Sequence, residues 1–315
     1  MRHYTQEQTR RALDFAVLID RLDTWFREDV NVPLRHTHRI ACGTAHGTSL
    51  IMPAWSERGY YGLKVINIFD GNAAVGRPGL HAVYTLFDAR TGVPLATLDG
   101  DVLTAWRTAA ASALGARFLA PADASTLLVV GAGRIAQLLP SAIKAVRPIE
   151  RVLVWARDAS KAKALAAQLR DGGHGAEVCQ DLEAGVRRAD IVSAATLSCE
   201  PLIQGAWLQP GSHLDLIGSF NPQMTEADPS CFNDADVYVD TTEAPTKSGD
   251  LLNALAGGAL LQEDILGTLA ALCRAECPVP PTDPQSRVRR TVFKAVGSAL
   301  EDLAAATLVH ECSQA

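Results

Sequence analysis

Apolar residues follow two different spacings along this chain, and the change between them divides it. Short apolar runs at 47–52, 61–68 and 82–87 are separated by turn residues, namely the Gly-rich stretch 70–79 and the tetrad Thr91-Gly92-Val93-Pro94. No helical stretch separates them, so they predict an antiparallel or mixed sheet. Ahead of them, Thr5 and Gln8 have capping-box spacing before an apolar-periodic stretch through Leu13, Val17 and Leu18, which predicts one helix. Near Leu103 the period becomes helical, and an alanine-rich helix is expected over 104–119, closed by Pro121. From Ser125 onward, strand-length runs at 127–130, 151–155, 176–179, 191–194, 213–217 and 237–239 alternate with helical stretches. That alternation predicts an α/β, doubly wound parallel sheet. A last helix is expected from Val292 to about His310, with Val292, Val296, Ala299, Leu303 and Ala306 on one stripe.

The run LLVVGAGRIA at 127–136 carries the most chemistry. Four branched apolar residues suit a strand buried on both faces. Gly131 and Gly133 then permit a tight turn and close approach by a pyrophosphate, and Ala136 lets the next helix pack on the strand. That helix, about 135–145, aims its N-terminal N–H groups and positive dipole end at the phosphates. A second apolar strand follows one helix-length later, the context a dinucleotide-binding unit requires. At the end of that second strand, Ala156 stands where an acid binding a ribose 2′-hydroxyl would be, and Arg157 follows with Ser160 and Lys161 nearby. An arginine beside a hydroxyl fits a 2′-phosphate and favours NADP(H); Asp158 keeps NAD(H) open.

Composition narrows the class. The chain has 315 residues, 48% hydrophobic and 20% charged, enough for two globular domains. A net charge of -6 argues against a nucleic-acid partner. No apolar run is long enough for a membrane span, and the opening MRHYTQEQTRR lacks the apolar centre of a signal peptide. Seven scattered cysteines fit reduced thiols, so a cytoplasmic location is expected. Cys273 and Cys277 read as core residues, and His36, His38 and His46 as solvated loop residues without metal-ligand spacing.

Four smaller groups are candidates for a site. Lys64 lies within the apolar run GLKVINIF and must either snorkel to solvent or face a polar cavity. Arg107, in the alanine-rich helix, has a fork suited to a carboxylate or phosphate, with the Thr108 hydroxyl beside it; a surface arginine is the competing reading. Arg35 follows Val32-Pro33-Leu34 in a loop, where a solvated charge is the simpler reading. Gly218-Ser219-Phe220-Asn221-Pro222 follows a strand, at the end that faces the ligand crevice in doubly wound sheets, and also reads as an ordinary Asn-Pro turn.

Taken together, these motifs resemble the ornithine cyclodeaminase/mu-crystallin family. The matching residues are Pro33-Leu34-Arg35, Met52-Pro53, Gly62-Leu63-Lys64, Asp88 with Thr91-Gly92 and Pro94, Leu103-Thr104 and Arg107-Thr108-Ala109-Ala110 with Ser112-Ala113. They continue through Gly131-Ala132-Gly133 and Phe293-Lys294, Gly297, Ala299 and Asp302. The resemblance implies a Rossmann domain at 116–286 and a smaller α+β N-terminal dimerisation domain at 1–115, completed by a C-terminal helix in 287–315, and hence a homodimer. It implies that Arg35, Lys64 and Arg107 hold a substrate carboxylate and line the catalytic site, with Lys64 also a candidate for handling protons. It places Thr108, Arg134, Ile135, Thr196 and Gly218 at the dinucleotide.

One departure separates activities within that family. Cyclodeaminases of the family carry an acid/base aspartate in the loop after residue 217, where this chain has Phe220. Phenylalanine exchanges no proton, and general acid–base help is typically worth about 10²–10⁴-fold. The expected activity is therefore NAD(P)H-dependent reduction of small cyclic 2-imino acids of the Δ1-pyrroline-2-carboxylate type. Ornithine cyclodeaminase with NAD as internal hydride carrier is the first alternative, a non-catalytic NADPH-dependent small-ligand binder the second, and an amino-acid dehydrogenase such as alanine's the third.

Overall fold

In the computed structural model, which describes residues 1–281, 283, 286 and 288–314, the chain opens with strand β1 (Arg2–Tyr4) and helices α1 (Gln6–Arg11) and α2 (Phe15–Phe26). The Thr5–Gln8 capping box is present at α1, yet the single predicted helix is two. The Asp14 carboxylate accepts from the Val17 N–H at 3.1 Å and restarts the chain as α2. Six strands follow: β2 (Val30–Asn31), β3 (His36–Cys42), β4 (Ala45–Ser56), β5 (Tyr60–Ile68), β6 (Leu80–Asp88) and β7 (Pro94–Asp99). Helix α3 (Gly100–Leu119) then leads to β8 (Thr126–Val130), α4 (Arg134–Lys144), β9 (Arg151–Trp155), α5 (Ala159–Asp171), β10 (Ala176–Val178), α6 (Leu182–Arg188), β11 (Ile191–Ala194), β12 (His213–Leu216) and β13 (Ala235–Val239). The remainder is α7 (Ala244–Lys247), α8 (Gly249–Ala256), β14 (Ile265–Thr268), α9 (Leu269–Arg274), β15 (Arg290–Lys294) and α10 (Ala299–Cys312).

These elements form two units, one of Met1–Arg107 with Ser298–Ala315 and one of Thr108–Gly297. The first holds a mixed sheet in the order β1-β7-β6-β5-β4-β2, with β3 also paired to β4; only β1 and β7 run parallel. Period-2 alternation buries one face, through Met52 and Ala54 on β4, Lys64 and Ile66 on β5, Tyr84 and Leu86 on β6, and Ala96 and Leu98 on β7. Helix α10 packs on that face and on α2, and every residue from Ala299 to Val309 is buried. Its run of alanines is what lets a helix fit between a sheet and another helix.

The second unit is an eight-stranded, wholly parallel sheet in the order β10-β9-β8-β11-β12-β15-β13-β14. The expected α/β doubly wound architecture is present. Strand order reverses beside β8, the switch point at which such sheets open a ligand crevice.

One element differs from expectation. The stretch from Val292, read as the start of the last helix, belongs to strand β15 (Arg290–Lys294), held between β12 and β13. Val292 and Val296 are four apart, which fits one helical stripe, but a strand buried on both faces needs no alternation and gives the same spacing. Thr291 to Lys294 are all buried, and the chain does not enter α10 until Ser298 caps it. Phe293 is fully buried and fills the space left by Gly115 on α3, where a Cβ would lie 2.8 Å from its ring. Phe293→Ala is expected to cost about 3–5 kcal/mol of unfolding free energy in urea denaturation, a loss that a mobile or peripheral segment would not give.

Candidate active site

The register of the first sheet lines up the candidate residues of the first unit. Tyr4, Leu98, Tyr84, Lys64 and Met52 are directly paired across β1, β7, β6, β5 and β4, so their side chains share one face. Arg35, half-buried, directly precedes β3, whose first pair is His36 with Ile51, the neighbour of Met52 on β4. Lys64 does not snorkel: it is fully buried, with its ammonium against Asp302 Oδ2 from the first turn of α10. Asp302 Oδ1 accepts from Arg107 Nε at 2.9 Å, and Glu301 Oε2 accepts from Arg107 Nη1 at 2.6 Å.

Two cations and two carboxylates thus share one buried cluster. Burial lowers Lys64 to about 8, with Arg107 adding repulsion and Asp302 opposing both. Burial alone would raise Asp302, but Arg107 and Lys64 hold its carboxyl below the usual range. The same carboxylates overcome the desolvation of Arg107 and raise it further. Tyr84, opposite Lys64, is pushed well above its ordinary value by burial and by Asp302. Arg107 is the member that reaches the surface, its side chain 7% exposed, and among the described residues its Nη2 donates to nothing. A guanidinium fixed on two sides, with both N–H donors of Nη2 still open, is a carboxylate anchor.

The second unit gathers the other predicted residues, except Thr108 on α3, past the carboxyl ends of the adjacent strands β9, β8, β11 and β12. Gly131 (φ 123°) ends β8, with its N–H bonded to Trp155 O at 2.8 Å and a Cβ position only 2.7 Å from Ala195 O. Only glycine serves there. Nothing lies within 4 Å of a Cβ built on Gly133, the residue before α4, and no side chain caps that helix, so its N–H groups remain available to an anion. Arg134 and Ile135 form the first turn of α4, exposed and half-buried respectively, and Thr108 is buried in α3. Arg157, just past β9, is exposed and donates to Ser198 Oγ at 3.3 Å, beside Thr196 in the loop after β11. Thr196 and Gly218 are joined by Glu226, which accepts from both. The residues present fit a dinucleotide.

The sequence reading missed several members. Glu301 is not singled out there, and Asp302 enters only as one of the residues matching the family, with no role. Their pairing with Lys64 and Arg107 spans about two hundred residues and leaves no local trace. Buried Asp215, raised to about 6 by burial, accepts from Ser112 Oγ at 3.1 Å and from Ser193 Oγ. Lys294 on β15 is likewise fully buried, with its Nζ 3.2 Å from Asp250 Oδ2 and 4.0 Å from Glu226 Oε2. A lysine inside an apolar run was the one available signal, and it applied to Lys294 as well as Lys64.

Comparison with known proteins decides the family, since residues 4–315 match the ornithine cyclodeaminase/mu-crystallin family. The chain belongs to that family. It is 39% identical to a Δ1-pyrroline-2-carboxylate reductase of Paracoccus denitrificans, over 90% of this chain and 89% of that protein. It is 31% identical to the ketimine reductase mu-crystallin of Rattus norvegicus, over 85% of each. Among solved structures, the Δ1-pyrroline-2-carboxylate reductase of Thermococcus litoralis in complex with NADH and L-proline superposes with a TM-score of 0.92 at 27% identity, covering 100% of this chain and 98% of that one. Within this family the loop after β12 is informative. Phe220 is half-buried and packs against the apolar core beneath the parallel sheet, so the loop offers no acid at that position.

Proposed function

We propose that this protein reduces small cyclic 2-imino acids of the Δ1-pyrroline-2-carboxylate class with a nicotinamide dinucleotide as hydride donor. The observation that carries this reading is the half-satisfied Arg107: two carboxylates fix its plane, and Nη2 is left to take a substrate carboxylate. Arg35, just ahead of β3, adds a second positive charge for the same group. The reduced dinucleotide, held by Thr108, Gly131, Gly133, Arg134, Ile135, Thr196 and Gly218 in the second unit, supplies the hydride when bound. The remaining chemistry belongs to the first unit. The imine nitrogen needs a proton to become an electrophilic iminium, and Lys64 is the buried acid whose proton affinity lies near neutrality. The Lys64 ammonium gives its proton to the imine nitrogen, which makes the ring carbon the electrophile, and solvent restores the lysine. Phe220 supports reduction over cyclodeamination, because a phenyl ring at that position exchanges no proton.

Arg157, with the Ser198 hydroxyl within reach, favours NADPH over NADH through the 2′-phosphate. All seven thiols are free, which fits the cytoplasm. The uncovered face of the first sheet carries the stacked Tyr61–Phe87 pair with exposed Trp55 and Val83, and a second copy of the chain laid on it would give a homodimer.

Mixing the protein with Δ1-pyrroline-2-carboxylate should consume NADPH, and NADH less efficiently, without ammonia release from L-ornithine; ammonia with no net cofactor change would establish the cyclodeaminase instead. Arg107→Ala should lower kcat/KM on the order of 10²-fold or more, and wild-type kinetics would remove Arg107 from the site. With Lys64 as proton donor, kcat/KM should be full below about pH 8 and fall as the ammonium is lost above it, whereas a profile flat through pH 9 excludes that role. Light scattering should report a particle of two 33.6 kDa chains.

A further inference from the structure

The loops after β11 and β12 touch backbone to backbone. A Cβ on Gly218 would lie 1.9 Å from Thr196 O and 2.6 Å from Thr196 N. One side chain spans the junction. Glu226 Oε1 accepts from the Thr196 N–H at 2.7 Å and from its hydroxyl at 2.8 Å, while Oε2 accepts from the Gly218 N–H at 2.6 Å and the Ser219 N–H at 3.3 Å. Four donors on one fully buried carboxylate satisfy nearly all its lone pairs.

The carboxylate is itself held from behind. The Glu226 and Ala227 N–H groups donate to Asp250 Oδ1 at 2.6 and 3.0 Å, and Lys294 on β15 lies between the Asp250 and Glu226 carboxylates. The Leu202 and Ile203 N–H groups donate to Glu226 O at 2.8 and 3.1 Å, which pins the far side of the β11 loop to the same residue. Burial raises the proton affinity of Glu226, and Lys294 with the Thr196 donors pulls it back.

We infer that Glu226 is a positioning residue: it locks the Thr196 loop to the Gly218 loop and thereby sets the affinity for the dinucleotide. This rests on the reading that these two loops hold the cofactor. Glu226 makes no claim on the reacting atoms, and its effect passes through Thr196 and Gly218.

Replacing the carboxylate by an amide of the same shape tests this. In Glu226→Gln, whichever way the amide turns, its NH2 faces a donor, either the Gly218 N–H with Lys294 behind it or the Thr196 pair, so one loop is released. Titration of the pure protein with NADH and with NADPH should show Kd raised about tenfold or more in E226Q. In the imine assay the dinucleotide KM should rise in step while the imine KM stays within about twofold of wild type. A purely structural role would lower the melting temperature and leave that split unmoved. Thr196→Val, which removes one donor of the four, should weaken binding less, and Thr196→Ser should restore it. The E226Q/T196V pair should bind no more weakly than E226Q alone, because both act through one carboxylate. Wild-type dinucleotide affinity in E226Q overturns the proposal, as does a double variant whose loss is the full product of the two singles. Should E226Q not fold, unchanged affinity in T196V overturns it equally. A wild-type protein that binds neither NADH nor NADPH removes the dinucleotide reading and this inference together, whereas wild-type binding matched by E226Q removes only the inference.

Discussion

An ammonium taken out of water costs several kcal/mol unless a counter-ion is waiting for it. This protein does that twice, at Lys64 and at Lys294, each fully buried on a strand. Each lysine obliges the chain to bring carboxylates from elsewhere in its own unit: Asp302 from α10 for Lys64, and Asp250 and Glu226 for Lys294. The requirement shapes both units. In the first it fixes how α10 lies on the sheet, because Asp302 must reach Lys64 with one oxygen and Arg107 with the other. In the second it draws the segment after β12 back beneath the sheet, where Glu226 ties the loops after β11 and β12.

Such clusters add little net stability, since well-packed apolar residues of the same volume would serve as well or better. Their value lies in geometry and proton affinity. Asp302 aims the Arg107 plane, and the contest between desolvation and Asp302 leaves Lys64 close to neutral pH. An arginine on a surface helix would keep its charge and lose its aim. An exposed lysine would keep its proton.

Legibility in the sequence followed the range of the forces involved. Arg151–Trp155 and Ile191–Ala194 have the bounds their apolar runs suggested, because strands buried on both faces write themselves as uninterrupted hydrophobic segments. The glycine loop was equally plain, since Gly131 at φ 123° is a local necessity. The break before α2 depended on a single cap at Asp14, and β15 carried a four-residue spacing that helix and buried strand share. Lys64 stayed ambiguous because its surroundings are set by α10, far along the chain. Glu226 gave no signal at all: its partners Thr196, Gly218 and Lys294 are joined only by the fold.

The placement of β15 also bears on how the chain is made. Residues 290–294 fill an interior position of the parallel sheet, and within ten residues the same segment delivers Glu301 and Asp302 to the other unit. A nascent chain emerging from a ribosome therefore holds an open gap between β12 and β13, and an uncompensated Lys64, until residues 290–302 have been translated. One stretch of chain completes both units, whatever the order in which their other elements appear.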